Sequence, residues 1–173
     1  MMKTILVTGA IGSGKSEVCR YLASKGYPVY DCDSRTKGLY ESVPGLKAGI
    51  EEALGVPFSG ISVIFKDDAK RKTLEGIVYP LVREDFISWR SSLQSDLVFF
   101  ESALALGNPL FDDLYDGVLL VEADLGTRAL RNPKVIERDN LQSFDRTKVD
   151  YVINNGSTIA ALHRKVNLYL KSL

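Results

Sequence analysis

The chain has 173 residues, and 22 Lys and Arg balance 22 Asp and Glu, so the formal net charge is zero. This balance argues against nucleic acid or an anionic membrane as a partner, because proteins that bind either usually carry an excess of basic residues. A hydrophobic content of 45% is typical of a globular protein of one domain. The two cysteines and the absence of a recognisable signal peptide or membrane-spanning stretch lead us to expect a cytoplasmic protein, either a monomer or a small homo-oligomer.

Short apolar runs alternate with amphipathic stretches along the chain, which predicts a parallel sheet covered by helices. The predicted strands are residues 4–8, 28–30, 97–100, 118–121 and 149–153. Residues 15–25 are predicted to form the first helix, ending at Gly26. A final helix, capped by Ser157, is expected to place an apolar face on the sheet, formed by Ile159, Leu162, Val166, Tyr169 and Leu173.

Residues 34–94 have a different sequence pattern from the rest of the chain, because prolines and glycines divide their first half into short helical pieces. Residues 67–93 are predicted to form a long helix. We interpret the whole chain, 1–173, as a single domain whose core is residues 1–33 and 95–173. Residues 34–94 are then a mostly helical insertion in that core.

The strongest local signal is the octapeptide GAIGSGKS, which satisfies the nucleotide-binding pattern G-x-x-x-x-G-K-[ST]. It follows a predicted strand and opens a predicted helix, so its backbone amides and the helix N-terminus can hold phosphates. Lys15 can reach the β and γ phosphates of ATP, and the Ser16 hydroxyl can ligate Mg²⁺. The sequence therefore predicts a three-layer α/β P-loop NTPase fold with a parallel sheet flanked by helices. The expected ATP-binding residues of this loop are Gly9, Ala10, Ile11, Gly12, Ser13, Gly14, Lys15 and Ser16.

Three carboxylates follow predicted strands and are expected at the same edge of the sheet as this loop. Asp33 can accept the proton of a substrate hydroxyl, although an aspartate at such a position can also cap the following helix. Asp31 is equally compatible with a functional and a structural role. Glu101 is a candidate partner for Mg²⁺ or its waters, or simply an acidic residue at a strand end.

The segment ILVTGAIGSGKSEVCRYLASKGYPVYDCDSRTK, residues 5–37, resembles the start of the dephospho-coenzyme A kinase family. VDYVINNGS, residues 149–157, resembles the family's end, and LEGIVYPLVR, residues 74–83, resembles a helix of its coenzyme A-binding region. The resemblance is collinear over most of the chain. It implies a nucleoside-monophosphate-kinase-like P-loop fold and ATP-dependent phosphorylation of the ribose 3′-hydroxyl of dephospho-coenzyme A, a small-molecule substrate.

The resemblance also implies roles for individual residues. Asp33 would be the base that engages the 3′-hydroxyl, with Asp31 beside it, and Lys15 and Arg138 would complete the catalytic set. Arg138 would be the arginine of a lid at about residues 131–148, with Arg128 and Arg146 as alternatives, although surface helices also carry arginines for solubility. The remaining expected contacts are Arg131 and Asn155 with ATP, and Thr8, Asp31, Tyr79, Arg83 and Glu101 with the substrate.

The chain departs from the family pattern at several places. Tyr79 and Pro80 stand where the family has a His-Pro pair, and Gly107 stands where it has a glutamate. The lid is also short, which would exclude water from the reaction less completely. Two alternatives therefore stay open: a P-loop kinase for another nucleotide or small metabolite, and a degenerate protein that binds or hydrolyses ATP. His163 is expected to be a solvated surface residue.

Overall fold

The structure is a computed structural model that describes residues 1–138 and 144–173, without the side chains of Val63, Phe65, Glu137 and Arg138. The chain divides into two compact units, residues 1–31 with 94–173, and residues 32–93. The first unit contains the sheet and the second is helical. Among the described residues, no helix combines the length and the apolar character that crossing a membrane requires.

The sheet unit is built on five parallel strands in the order β2-β3-β1-β4-β5. The strands are β1 (Lys3–Thr8), β2 (Val29–Asp31), β3 (Leu97–Glu101), β4 (Gly117–Glu122) and β5 (Tyr151–Asn154). The central strand β1 pairs with β3 from Lys3 opposite Leu97 and with β4 from Ile5 opposite Gly117. The predicted parallel sheet flanked by helices is confirmed.

Helices α1 (Lys15–Ser24), α5 (Leu125–Arg131), α6 (Val135–Arg138) and α7 (Ile159–Ser172) belong to the same unit. β1 is buried from its second residue to its last, as expected of a central strand covered on both faces. One core cluster joins α1 and α7 to the strands and includes Val7, Val18, Leu119, Leu162 and Val166. Packing of these helices positions the loop that connects β1 to α1.

Two aspartates bind the backbone where central strands begin. The carboxylate of Asp116 accepts the Thr4 N–H at 2.7 Å, and that of Asp150 accepts the Val118 N–H at 2.7 Å. A 3₁₀ helix, Arg146–Lys148, precedes β5, and the strand begins at Tyr151 and not at residue 149 as predicted.

The helical unit contains α2 (Cys32–Ser42), α3 (Leu46–Leu54), a 3₁₀ helix (Phe58–Lys66) and α4 (Asp68–Ser91). The long helix α4 runs through Pro80 over 24 residues, close to the predicted span. It begins at Asp67, whose side chain accepts the Lys70 N–H. A bidentate ion pair joins Arg35 of α2 to Asp85 of α4, with both N–O distances 2.8 Å.

The start of α7 corrects one expectation. Its cap is Thr158, whose Oγ1 accepts the Ala161 N–H at 3.1 Å, and not Ser157. Leu162, Val166 and Tyr169 are buried as predicted, whereas Ile159 and Leu173 are 61% and 45% exposed. The first and last positions of the predicted apolar face therefore lie outside the core, because they occupy the two ends of the helix.

Candidate active site

The loop between β1 and α1, residues 9–16, is shaped by glycines that lie close to helix α5 and to the β5–α7 loop. Gly14 has a φ of +104°, and a Cβ atom there would lie 2.1 Å from Nδ2 of Asn155. Gly12 has a φ of +77°, and a Cβ atom there would lie 2.7 Å from the carbonyl oxygen of Arg128. A side chain at either position would be strained and would collide with its neighbour. The glycine spacing read from the sequence therefore follows from close packing as well as from backbone conformation.

The loop offers polar groups suited to an anion. Gly14 caps α1 without a side-chain hydrogen bond, so the first turn's N–H groups have no capping side chain. The hydroxyls of Ser13 and Thr8 are buried and have no hydrogen-bond partner among the described residues. A phosphate-binding loop has these properties, because the bound anion supplies the missing acceptors.

Ser16, Glu101 and Asp31 come together next to this loop. The Ser16 hydroxyl donates to Oε1 of Glu101 at 3.0 Å. Asp31 ends β2 and stands opposite Glu101 in the register of β2 with β3. Glu101 is only 8% exposed. A cavity of about 220 Å³ adjoins the pair and is lined by Ser16, Cys19, Arg20, Ala23, Val29, Asp31 and Glu101.

Burial is the main cause that raises the pKa of Glu101 above its ordinary value, and the negative charge of Asp31 adds to it. The Ser16 hydroxyl and Lys15 act in the opposite direction with smaller effect. Burial, followed by the charge of Glu101, also raises the pKa of the Cys19 thiol well above its usual range. Cys19 is therefore a neutral core residue.

Arg131 and Asn155 lie against the outside of the phosphate-binding loop. The Arg131 guanidinium donates to the carbonyl oxygens of Gly12 at 3.2 Å, Ser13 at 3.3 Å and Asn155 at 2.7 Å. Nδ2 of Asn155 donates to the Ser13 carbonyl at 2.9 Å. Both residues were expected to contact ATP, and in this structure their side chains contact the loop backbone.

The other arginines of the expected lid have different surroundings. Arg128 is 9% exposed, and its Nε donates to the Ala123 carbonyl at 3.0 Å. Arg146 is exposed and forms an ion pair with Glu122 at the end of β4. Arg138 ends α6, and its side chain lies outside the described residues.

The helical unit carries the remaining predicted residues. Asp33 is exposed and is the second residue of α2, so it lies within the first turn and not at the cap position. Tyr79 and Arg83 lie four residues apart on α4 and therefore share one face of the helix. Burial first, and then the charge of Glu75, raises the pKa of Tyr79, so its phenol stays protonated at neutral pH.

His163 has contacts that sequence reasoning missed. Its ring stacks on Tyr21 with centroids 3.8 Å apart, and its Nε2 lies 3.3 Å from Oε1 of Glu17. Tyr21 and Glu17 belong to α1 and His163 to α7, so the cluster joins the helix after the phosphate-binding loop to the last helix. No local signal in the sequence indicates this contact between residues more than 140 positions apart.

Residues 61–160 match the sequence model of the dephospho-CoA kinase family. A dephospho-CoA kinase of Porphyromonas gingivalis is 37% identical over 147 residues, which cover 80% of this chain and 71% of the relative. The chain belongs to the dephospho-CoA kinase family. A relative of the same name from Helicobacter pylori is 27% identical over 201 aligned positions, covering 100% of this chain and 98% of the relative.

Solved structures support the same fold. A crystal structure from Thermus thermophilus is 30% identical and superposes with a TM-score of 0.80, covering 99% of this chain and 98% of the other. A dephospho-CoA kinase from Campylobacter jejuni, 18% identical, gives a TM-score of 0.65 over 99% of this chain and 96% of its own. A shikimate kinase from Aquifex aeolicus, 16% identical, gives 0.56 over 98% of this chain and 96% of its own. The predicted P-loop kinase fold is confirmed.

Proposed function

We propose that this dephospho-CoA kinase family member transfers the γ-phosphoryl group of ATP to the ribose 3′-hydroxyl of dephospho-coenzyme A, which gives coenzyme A and ADP. The observation that carries the proposal is the phosphate-binding loop of residues 9–16 beside the paired carboxylates of Asp31 and Glu101, in a chain of this family. A phosphate cradle with acidic groups beside it is what phosphoryl transfer requires.

The ATP site is proposed to be the phosphate-binding loop. Its amides and the N-terminus of α1 would bind the phosphates, and the Lys15 ammonium would neutralise charge on the β and γ groups. The buried Ser13 hydroxyl, which lacks a partner among the described residues, would donate to a phosphate oxygen. Asn155 directly follows β5, where its loop would border the nucleotide.

The residues around Ser16 fit Mg²⁺. A serine hydroxyl and two carboxylates are oxygen ligands of the kind Mg²⁺ prefers, and it usually takes one or two carboxylates together with phosphates and waters. The raised pKa of Glu101 reflects burial and the adjacent Asp31 charge, a situation that a divalent cation relieves. Ser16, with Glu101 and Asp31 directly or through water, would hold the ion, which when bound neutralises charge on the transferring phosphate.

Asp33 is proposed to be the general base. It would accept the proton of the 3′-hydroxyl as that oxygen bonds to the γ-phosphorus and the bond from the γ-phosphorus to the bridging oxygen of ADP breaks. Its exposure at the start of α2 leaves the carboxylate accessible to a substrate. Arg138 would stabilise negative charge on the transferring group from the lid.

Tyr79 and Arg83 on α4, together with Thr8 and Glu101, are proposed as contacts of the acceptor. Arg83 can pair with a phosphate, and Tyr79 offers a phenol where the family has an imidazole. The zero net charge supports a small-molecule partner, and the two free cysteines are in keeping with a reducing compartment such as the cytoplasm.

The proposal is tested by following ADP formation by the purified protein with ATP, Mg²⁺ and a panel of acceptors. We expect turnover that depends on dephospho-coenzyme A and is absent with shikimate, adenosine monophosphate or water alone. Equal turnover with and without dephospho-coenzyme A would indicate an ATP hydrolase, and turnover with another acceptor only would indicate a kinase of different specificity. Either result would refute the proposal.

A further inference from the structure

One guanidinium joins the two loops that border the proposed ATP site. Arg131 ends α5 and donates from Nη1 to the carbonyls of Gly12 and Ser13 and from Nη2 to the carbonyl of Asn155. Gly12 and Ser13 belong to the β1–α1 loop, and Asn155 belongs to the β5–α7 loop. The rest of the Arg131 side chain is exposed, so these contacts are what hold its charged end in place.

Asn155 also connects the two loops, through a side chain of the β5–α7 loop that binds the β1–α1 loop. Its buried side chain donates from Nδ2 to the Ser13 carbonyl at 2.9 Å, and its backbone N–H donates to the Glu122 carbonyl at 2.7 Å. The Ser13 carbonyl therefore receives donors from two side chains, one on each neighbouring element. We call this set of contacts between Arg131, Asn155 and the carbonyls of Gly12 and Ser13 the loop brace.

The loop brace controls which way the peptide groups of the phosphate-binding loop point. The C=O and N–H of a trans peptide point in opposite directions, so binding the Ser13 carbonyl directs the Gly14 N–H away from Arg131 and Asn155. The preceding peptide is held at both ends, because Arg131 binds the Gly12 carbonyl and the Ser13 N–H donates to the Ala10 carbonyl at 3.1 Å. The loop is thus ordered before a ligand arrives, which lowers the entropic cost of binding phosphate.

We propose that Arg131 is a positioning residue that acts through the loop brace, rather than a direct ligand of the γ-phosphate. Its guanidinium orients the carbonyls of the phosphate-binding loop outward and holds this loop at a fixed position relative to the β5–α7 loop. The positive charge also offsets the carbonyl dipoles that would otherwise lie near the phosphates. The inference rests on the proposed use of ATP, and it concerns nucleotide binding rather than the acceptor.

The test is the affinity for ADP and for ATP, measured by calorimetry for the wild type, Arg131→Met, Arg131→Lys and Asn155→Ala. A brace shapes the whole loop, so both nucleotides should bind about 10-fold more weakly to Arg131→Met, which loses charge-assisted hydrogen bonds. Arg131→Lys can donate to fewer carbonyls than the wild type, so its nucleotide affinities should lie between those of the wild type and those of Arg131→Met. Asn155→Ala should weaken both nucleotides in parallel. Arg164→Met, the same change at an exposed position on α7, is the control and should change either affinity less than twofold.

Two results would overturn the inference. A loss of ATP affinity with ADP affinity unchanged would show that Arg131 binds the γ-phosphate directly. Unchanged affinity for both nucleotides in Arg131→Met, with only a lower Tm, would show a purely structural role. If Arg131→Met does not fold, Arg131→Lys and Asn155→Ala must still weaken ADP and ATP together. Because no acceptor is present, wild-type protein that binds ADP but transfers no phosphate would refute the proposed function and leave this inference standing.

Discussion

At the scale of single residues, the buried carboxyl of Glu101 makes the stability of the protein depend on pH. Its pKa in the folded protein is raised, so between its ordinary value and the raised one the folded state holds a proton that the unfolded state has released. Stability therefore falls as pH rises through that window and stays lower above it. Burial of this carboxyl beside Asp31 therefore lowers the stability of the protein where a Mg²⁺ site is proposed.

Glu101→Gln should remove this loss of stability. At pH 7.5 and without nucleotide, the variant should have a higher Tm than the wild type, and the difference should shrink as pH falls below the ordinary carboxyl range near 4. The transfer rate should fall by about 10-fold or more and need more Mg²⁺, because an oxygen ligand has lost its charge. Thermal unfolding at several pH values and Mg²⁺ titrations of the initial rate measure both effects.

The exposed Glu84 provides the control, since Glu84→Gln removes one negative charge from α4. It should leave the Tm and the Mg²⁺ requirement nearly unchanged. A Glu101→Gln variant whose Tm falls further below that of the wild type as pH rises from 4 to 7.5 would contradict the assigned direction of the pKa shift.

Two glycines with positive φ allow backbone strain to be separated from close packing. Gly14 and Gly26 have φ of +104° and +91°, but only at Gly14 would a Cβ atom meet a neighbour, Nδ2 of Asn155 at 2.1 Å. Gly26→Ala should cost about 1 kcal/mol of stability from strain and leave ADP affinity unchanged. Gly14→Ala should lose ADP affinity by about 100-fold or more, because the loop must move. Equal affinities for the two variants in calorimetry would disprove the packing explanation.

At the scale of secondary-structure elements, α1 and α7 border the loops that form the proposed ATP site. They pack together through the core and through a surface cluster in which Tyr21 stacks on His163 and donates to Asn167 at 3.0 Å. The position of α7 also depends on where the helix begins, and Thr158 determines that through its cap.

The cap assignment predicts different effects for two adjacent hydroxyl residues. Thr158→Ala should lower the free energy of unfolding by about 1 kcal/mol, because an N–H of the first turn loses its acceptor. Ser157→Ala should change it by less than about 0.5 kcal/mol, as for an exposed surface substitution. Urea denaturation of both variants measures the difference. A larger loss for Ser157→Ala would restore Ser157 as the cap.

At the scale of the whole molecule, features carried by short segments were predictable from the sequence. Each of the five strands contains a short apolar run, and the phosphate-binding loop is identified by the spacing of three glycines, a lysine and a serine. The family motifs also lie in short segments, residues 5–37, 74–83 and 149–157. The choice between Ser157 and Thr158 was not predictable, because both residues are good caps and the turn after β5 decides between them.

Contacts between distant segments were also beyond sequence reasoning. The resemblance implies a contact of Arg131 with ATP, but its partners in the structure are carbonyls in loops 118 and 119 positions earlier in the chain and 24 positions later. His163 was expected in solvent because its helical neighbours are polar, yet Tyr21 covers its ring. Such contacts depend on how α5 and α7 pack, which no local pattern encodes.

The central claim is phosphoryl transfer to the 3′-hydroxyl with Asp33 as the base. The most direct measurement is a single-turnover reaction of excess enzyme with ATP labelled at the γ-phosphate and dephospho-coenzyme A. The wild type should move the label to a position that a 3′-nucleotidase releases. Asp33→Asn should slow this step by about 10² to 10⁴-fold while binding ATP normally. Label found only as inorganic phosphate, or transfer by Asp33→Asn at the wild-type rate, would contradict the account.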